Sequence, residues 1–179
     1  VFISGRGSNL KNLIKFSKLK NSPIKIYLVI SNNKYAKGLR HASQNKIEKK
    51  IFNFNNINNG EKKSLKILLR KKIKLICLAG FMKILSKNFT KKFRGKIINI
   101  HPSLLPKFKG LNTHKRAIKN KENFSGCTVH YVTSKLDSGK IILQKKVRIK
   151  KNDTVYSLQK RILKEEYKIY PKAISKILN

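Results

Sequence analysis

The feature that most constrains this chain is an alternation. Short, largely apolar runs recur along it, separated by stretches whose apolar residues return at helical spacing. Residues 1–3, 24–30, 51–54, 75–79, 97–100, 127–132 and 141–149 read as strands. Leu10, Leu13, Ile14 and Phe16 give residues 9–16 a helical face, and residues 35–44 carry a weaker one. Residues 55–60 read as a polar turn. A helix over 61–72 follows, with Leu65, Leu68 and Leu69 on one face, and another near 87–93. Thr113 is placed to N-cap a helix through Asn120, and Asp153 or Thr154 to cap a long last helix. Strands alternating with helices of about ten residues predict an α/β fold: a mostly parallel, twisted sheet with helices on both faces.

Size and composition agree with that expectation. At 179 residues the chain suits one domain, and 40% hydrophobic residues suffice for a core. Val1-Phe2-Ile3 reads as the tail of a buried strand and Met82 is the only methionine, so the start is expected a few residues upstream. No apolar run approaches the roughly 18 residues of a spanning helix, so no membrane partner is expected. Two cysteines without a CxxC pair make no disulfide framework, which points to a reduced, cytoplasmic setting.

The net charge of +37 suggests nucleic acid first. Three observations turn that reading aside. The cations are 37 lysines against 7 arginines, whereas base recognition favours arginine's planar fork. They are scattered from Lys11 to Lys176 rather than gathered on a stripe. They also accompany an excess of Asn and Ile, which share A/T-rich codons with Lys, as a mutational bias on solvated positions would produce. No specific nucleic-acid partner is expected, and any binding should be sequence-blind and salt-dependent.

Three segments carry residues suited to chemistry. Ser4-Gly5-Arg6-Gly7-Ser8-Asn9 follows the first strand and opens the first helix. A glycine-rich turn in that place aims backbone N–H groups and the positive end of the helix dipole at an anion. The third glycine of GxGxxG would fall at Leu10 and no GK[ST] follows, so the turn suggests a phosphate but not a dinucleotide or ATP. A plain strand-to-helix turn with Ser8 as N-cap is the alternative.

Asn99-Ile100-His101-Pro102 closes a strand at the end where open α/β sheets bind ligands. Asn99 and His101 are two apart and point to the same side of an extended chain. A carboxamide donor beside an imidazole can stabilise an oxyanion. Pro102 and Pro106 stiffen the loop that follows. The alternative is a capped loop with a surface histidine.

Leu136-Asp137-Ser138-Gly139 holds one of only two aspartates, the other being the capping candidate Asp153. Asp137 is either a turn residue or a carboxylate that orients His101 and raises its pKa. His41, His101, His114 and His130 with Cys77 and Cys127 show no HxxxH, CxxC or HExxH spacing, so no metal is expected. Cys77 reads as core, Cys127 lacks a nucleophile motif, and His130 suits either a cleft or a structural place.

Taken together, ISGRGSNL, LAGFMKIL, NIHPSLLPKFKGLNTH, HYVTSKLDSGKIILQ and EEYKIYP resemble the phosphoribosylglycinamide formyltransferases over essentially the whole chain. The resemblance implies a single Rossmann-like formyltransferase domain over residues 1–179. Its phosphate-binding part is about 1–95, and its catalytic and folate part about 96–179. It implies formyl transfer from 10-formyltetrahydrofolate, the formyl-donor co-substrate, to glycinamide ribotide (GAR) in de novo purine biosynthesis. It implies small-molecule partners, no metal, and a monomer or homodimer.

Residue by residue, the family's catalytic Asn, His and Asp fall on Asn99, His101 and Asp137. Its ribotide-phosphate loop falls on Gly7, Ser8 and Asn9, and a substrate-binding glutamate on Glu166. Its folate contacts fall on Met82, Lys83, Ile84 and Leu85, with Asn99 shared. Tyr167 stands where the family often has His, and Lys109 where a proline is common. A folate-contacting arginine has no clear counterpart near Asn59-Gly60-Glu61.

The implied mechanism is attack of the ribotide amine on the formyl carbon. Asn99 and a protonated His101 donate to the oxyanion, and Asp137 keeps His101 protonated and routes the proton through water. Methionyl-tRNA formyltransferase and formyltetrahydrofolate deformylase share part of this pattern and are the alternatives. The first carries an extra C-terminal domain and lacks the GSN turn, and the second usually carries an N-terminal regulatory domain. A basic nucleic-acid-binding protein is the alternative from another class.

Overall fold

The computed structural model describes residues 1–55 and 57–178. Its strands are β1 (Phe2–Ile3), β2 (Leu28–Ser31), β3 (Glu48–Ile51), β4 (Leu75–Leu78), β5 (Lys96–His101), β6 (Phe124–Tyr131) and β7 (Ile141–Arg148). Its helices are α1 (Ser8–Ser17), α2 (Leu39–Gln44), α3 (Ile57–Arg70), α4 (Lys87–Lys92), α5 (Thr113–Lys119) and α6 (Val155–Leu178). The strands form one seven-stranded sheet in the order β3-β2-β1-β4-β5-β6-β7. The expected α/β class with a mostly parallel sheet is therefore what the chain adopts. None of the described helices is long and apolar enough to cross a membrane.

The chain divides into two compact units, Val1–Asn99 and a second from Ile100 onward. In the first, all strand pairs are parallel: β1 with β2 and β4, β2 with β3, and β4 with β5. The chain runs outward from β1 to β3, then returns to β4 on the other side of β1. Right-handed crossovers then put α1 and α2 on one face and α3 and α4 on the other, and α3 and α4 do touch. β1 and β4 flank the reversal, the place where such sheets leave a crevice at their strand ends. Phe2 anchors this unit's core, edge-on to Phe81 with ring centroids 5.3 Å apart, and Phe54 meets Phe81 at 5.1 Å.

In the second unit β6 and β7 pair antiparallel, with a register shift between Val129 and His130. α6 packs on both strands and α5 packs on α6. Leu158, Ile162, Ile169, Ala173 and Ile174 form the buried stripe of α6, at the spacing an amphipathic helix requires.

Several boundaries differ from the sequence expectation, each for a physical reason. β2 starts at Leu28, because the preceding Tyr27 is exposed and only Leu28 onward is fully buried. The third strand is Glu48–Ile51 rather than 51–54. It is an edge strand, whose exposed charged side chains hide the apolar signal and discourage pairing with other chains. Phe54 turns into the core instead.

Helix α3 starts at Ile57, so residues 57–60 are helical rather than a turn, and Asn56 lies outside the described residues. Its buried face carries Leu65, Ile67 and Leu68, while Leu69 is 55% exposed. Gly7 rather than Ser8 is the N-cap of α1, and Asn112 rather than Thr113 that of α5; both caps have left-handed backbone. Thr154 does cap α6, its Oγ1 accepting from the Ser157 N–H at 3.1 Å. Asp153 is held by Arg161, which keeps its carboxyl well below the usual range.

Candidate active site

The turn between β1 and α1 is shaped by backbone. Gly7 has φ 73°, a conformation L side chains rarely adopt, and its carbonyl accepts the first intrahelical bond, from the Lys11 N–H at 2.8 Å. The N-cap position of α1 is a glycine, so no side-chain cap bond comes from it. Gly7 and Asn9 are buried and Ser8 half-buried.

Ser4 ties this turn to both neighbouring strand ends. Its hydroxyl donates to Asn32 Oδ1 and accepts from the Met82 N–H at 2.7 Å. Its own N–H donates to the Gly80 carbonyl at 3.0 Å.

The segment after β4 presents apolar surface. Met82 is 62% and Ile84 57% exposed, with Lys83 half-buried between them, whereas Leu85 is fully buried and belongs to the core. Lys83 Nζ donates to Asn55 Oδ1 at 2.8 Å. The far end of the segment is fixed by Glu61, a buried carboxylate that accepts from the N–H and hydroxyl of Ser86, while Ser86 itself caps α4.

Asn99 pairs with Leu78 in the β4–β5 register, and His101 follows it by two residues on the same strand. In the second unit His101 meets Asp137. The distance from His101 Nδ1 to Asp137 Oδ2 is 3.3 Å, and from His130 Nε2 to Asp137 Oδ1 it is 3.6 Å. The Gly110 N–H donates to Asp137 Oδ2 at 2.9 Å. Asp137 has φ 44°, a left-handed backbone that aspartate tolerates better than most residues. It is thus both a turn residue and a carboxylate addressed by two imidazoles.

Burial raises the Asp137 pKa, but His130, the Gly110 N–H and His101 outweigh it, and the carboxyl lies below its ordinary range. The expected pull of Asp137 on His101 is opposed by burial. Burial pushes the ring's pKa down, and the pulls of the Phe108 carbonyl and Asp137 only partly restore it, so the net shift is downward from 6.5. Its Nε2–H donates to the Phe108 carbonyl at 2.9 Å, which leaves Nδ1 towards Asp137.

The loop after His101 is locked from within. Thr128 Oγ1 donates to the Ser103 carbonyl at 2.7 Å and accepts from the Leu105 N–H at 3.1 Å. Gln144 Nε2 donates to the Leu105 carbonyl at 2.8 Å. Lys109, the residue in place of the family's proline, donates to Ser138 Oγ at 2.6 Å and so ties the loop to the Asp137 turn.

Glu166 is buried on α6. Cys127 is buried, and desolvation first, with Glu166 and Glu165 next, pushes its thiol far up, which makes it unreactive. Three participants carry little or no signal in the sequence. The Phe108 and Gly110 backbone groups leave no trace in residue type. His130 had the alternation signal but nothing to choose a cleft over a structural place.

Comparison with known proteins covers nearly the whole chain. A family model described as "Formyl transferase" matches residues 1–174. A phosphoribosylglycinamide formyltransferase of Haemophilus influenzae is 45% identical over 97% of this chain and 84% of its own length. The human trifunctional purine biosynthetic protein adenosine-3 is 43% identical over 97% of this chain, which spans only 18% of that larger protein. The crystal structure of phosphoribosylglycinamide formyltransferase from Anaplasma phagocytophilum superposes with TM-score 0.93 and 43% identity, covering 99% of this chain and 84% of that one.

Proposed function

The chain belongs to the formyl transferase family, and from that membership we propose that it transfers a formyl group from 10-formyltetrahydrofolate to the amine of glycinamide ribotide, a step of purine biosynthesis. The observation that carries the chemistry is the buried Asp137 carboxylate addressed by His101 and His130, beyond a strand that also bears Asn99.

Asn99 donates its carboxamide N–H to the oxygen on which negative charge develops. Burial holds the His101 pKa below its ordinary value. Negative charge growing beside a buried imidazole raises its proton affinity, so the ring becomes charged as the reaction requires it. A proton at Nδ1 is met by Asp137 Oδ2, already 3.3 Å away, and an ionic hydrogen bond there is roughly twice as strong as a neutral one. Asp137 thereby orients His101 and takes part in moving the proton from amine to leaving nitrogen.

Gly7, Ser8 and Asn9 hold the ribotide phosphate through backbone N–H groups at the N-terminus of α1, and Glu166 binds the glycinamide end. The formyl folate supplies the activated one-carbon unit. The segment from Met82 to Leu85 suits it, since exposed Met82 and Ile84 offer apolar surface to its ring system. The nearby Lys83 offers a cation to its carboxylates.

An assay of formyl transfer from 10-formyltetrahydrofolate to glycinamide ribotide tests this, with initiator methionyl-tRNA and water as competing acceptors. Formylation of the ribotide alone is the expected result. Preferred formylation of tRNA, or release of free formate, would reassign the chain within its family.

A further inference from the structure

The turn that opens α1 is backed by a second loop, residues 34–38. Gly38 is buried, and its N–H donates to the Gly5 carbonyl at 2.9 Å. A Cβ on Gly38 would lie 2.8 Å from Gly7 Cα and 3.1 Å from Gly7 N, and a Cβ on Gly7 would lie 2.5 Å from Gly38 Cα. The two backbones are in bare contact. Gly38 has φ −61° and ψ −22°, ordinary helical values that any residue can adopt. Glycine's conformational freedom is therefore not what this position uses. Only closeness to Gly7 and to Ile3 Cδ1, 2.8 Å from the same Cβ, demands the missing side chain.

We propose that Gly38 is a positioning residue for the ribotide: its bare Cα and its N–H set the curvature of the Gly5–Arg6–Gly7 backbone and hence the aim of the phosphate-binding N–H groups. This rests on reading Gly7, Ser8 and Asn9 as the phosphate site. A side chain at Gly38 displaces the Gly7 backbone, and misaiming an N–H that bonds a charged phosphate costs on the order of 10- to 100-fold in affinity.

The test is Gly38→Ala in the full chain. Gly38 is the N-cap of α2, where alanine is modestly less favourable than glycine, a cost to stability that would by itself leave ribotide binding alone. The variant should instead raise KM for glycinamide ribotide roughly 10- to 100-fold. KM for the formyl folate and kcat at saturating ribotide should stay within about threefold.

Two further variants separate positioning from plain damage. Ile3→Val with Gly38→Ala removes the side-chain clash but not the one with Gly7. Its thermal midpoint should recover relative to Gly38→Ala alone, while the ribotide KM stays high. Gly95→Ala drives a Cβ into the Lys74 carbonyl, at the opposite strand ends. It should lower the thermal midpoint without a ribotide-selective change.

The inference is overturned if Gly38→Ala leaves the ribotide KM unchanged, if KM recovers with stability in the double variant, or if Gly95→Ala shows the same selective rise. Failure of both Gly38 variants to fold also counts against it. If the natural chain transfers no formyl group, the functional reading fails by itself. Calorimetric binding of ribose 5-phosphate to the natural chain and to Gly38→Ala then still tests the positioning role.

Discussion

The two regions assigned to substrate are built from different material. Around residues 4–9 the working groups are backbone: a left-handed Gly7 at the N-cap of α1, and a neighbouring loop in backbone contact. Around His101 they are side chains, two imidazoles sharing one carboxylate. A backbone site has nothing to titrate and is sensitive to any added Cβ. A side-chain site survives small steric changes but depends on charge. The contrast predicts that mutations should separate binding from chemistry.

The largest effect is expected at Asp137. Asp137→Asn keeps the shape and removes the charge, and should lower kcat by roughly 10²–10⁴-fold, the usual worth of a positioned acid–base group. The His101 pKa, already depressed by burial, should fall further in this variant, read by NMR titration of the ring protons. Near-normal turnover with unchanged titration would reduce Asp137 to a turn residue.

Gly7→Val should act on the other side of the contrast. The backbone there is left-handed and the new Cβ meets Gly38 Cα at 2.5 Å. Ribotide affinity, read by calorimetry, should fall roughly 100-fold while folate affinity is spared. Equal loss of both would break the division between the regions.

A smaller effect is expected at Thr128. Thr128→Val is close in shape but leaves the buried Leu105 N–H without its 3.1 Å acceptor. The cost should be about 1–3 kcal/mol of stability by denaturant unfolding. An unchanged midpoint would show the loop to be held by something else.

The smallest concerns pH. His101 and Asp137 both have lowered pKa values in the folded chain. In each case the unfolded chain binds more protons over the window between the two values, so stability rises with pH there. The contribution of His101 is present above about 6.5 and is lost as pH falls below it. That of Asp137 is lost only near and below the ordinary carboxylate range. The thermal midpoint should therefore fall modestly from pH 7 to pH 5, and less so in a His101→Phe variant. A midpoint that rises over that interval would contradict the burial of a neutral ring.

What was legible in the sequence follows the same division. β1, β4 and β5 were found because strands buried on both faces read as unbroken apolar runs. β3 was misplaced because an edge strand made of Glu48, Lys49, Lys50 and Ile51 carries the opposite signal. The caps expected at Ser8 and Thr113 lie one position earlier, on left-handed Gly7 and Asn112. Asn99, His101 and Asp137 stood out because the chain is poor in acids and the motif around them is dense. The lowered pKa of His101 did not, since desolvation depends on what surrounds the ring rather than on its neighbours in sequence. The role of Gly38 was equally invisible, because a contact between two backbones leaves no pattern of residue types.

The most direct test of the account crosses the two regions in one experiment. Ribotide binding and single-turnover formyl transfer are measured on Asp137→Asn and on Gly7→Val, the latter at saturating ribotide. The account predicts that Asp137→Asn binds ribotide within about twofold of the natural chain while its chemical step collapses by the roughly 10²–10⁴-fold of a lost acid–base group. Gly7→Val should bind poorly yet, once saturated, react within about tenfold of the natural rate, since it leaves the acid–base group in place. If both variants lose binding and chemistry together, phosphate recognition and proton handling do not reside in separate regions, and the assignment of His101 and Asp137 to chemistry alone is wrong.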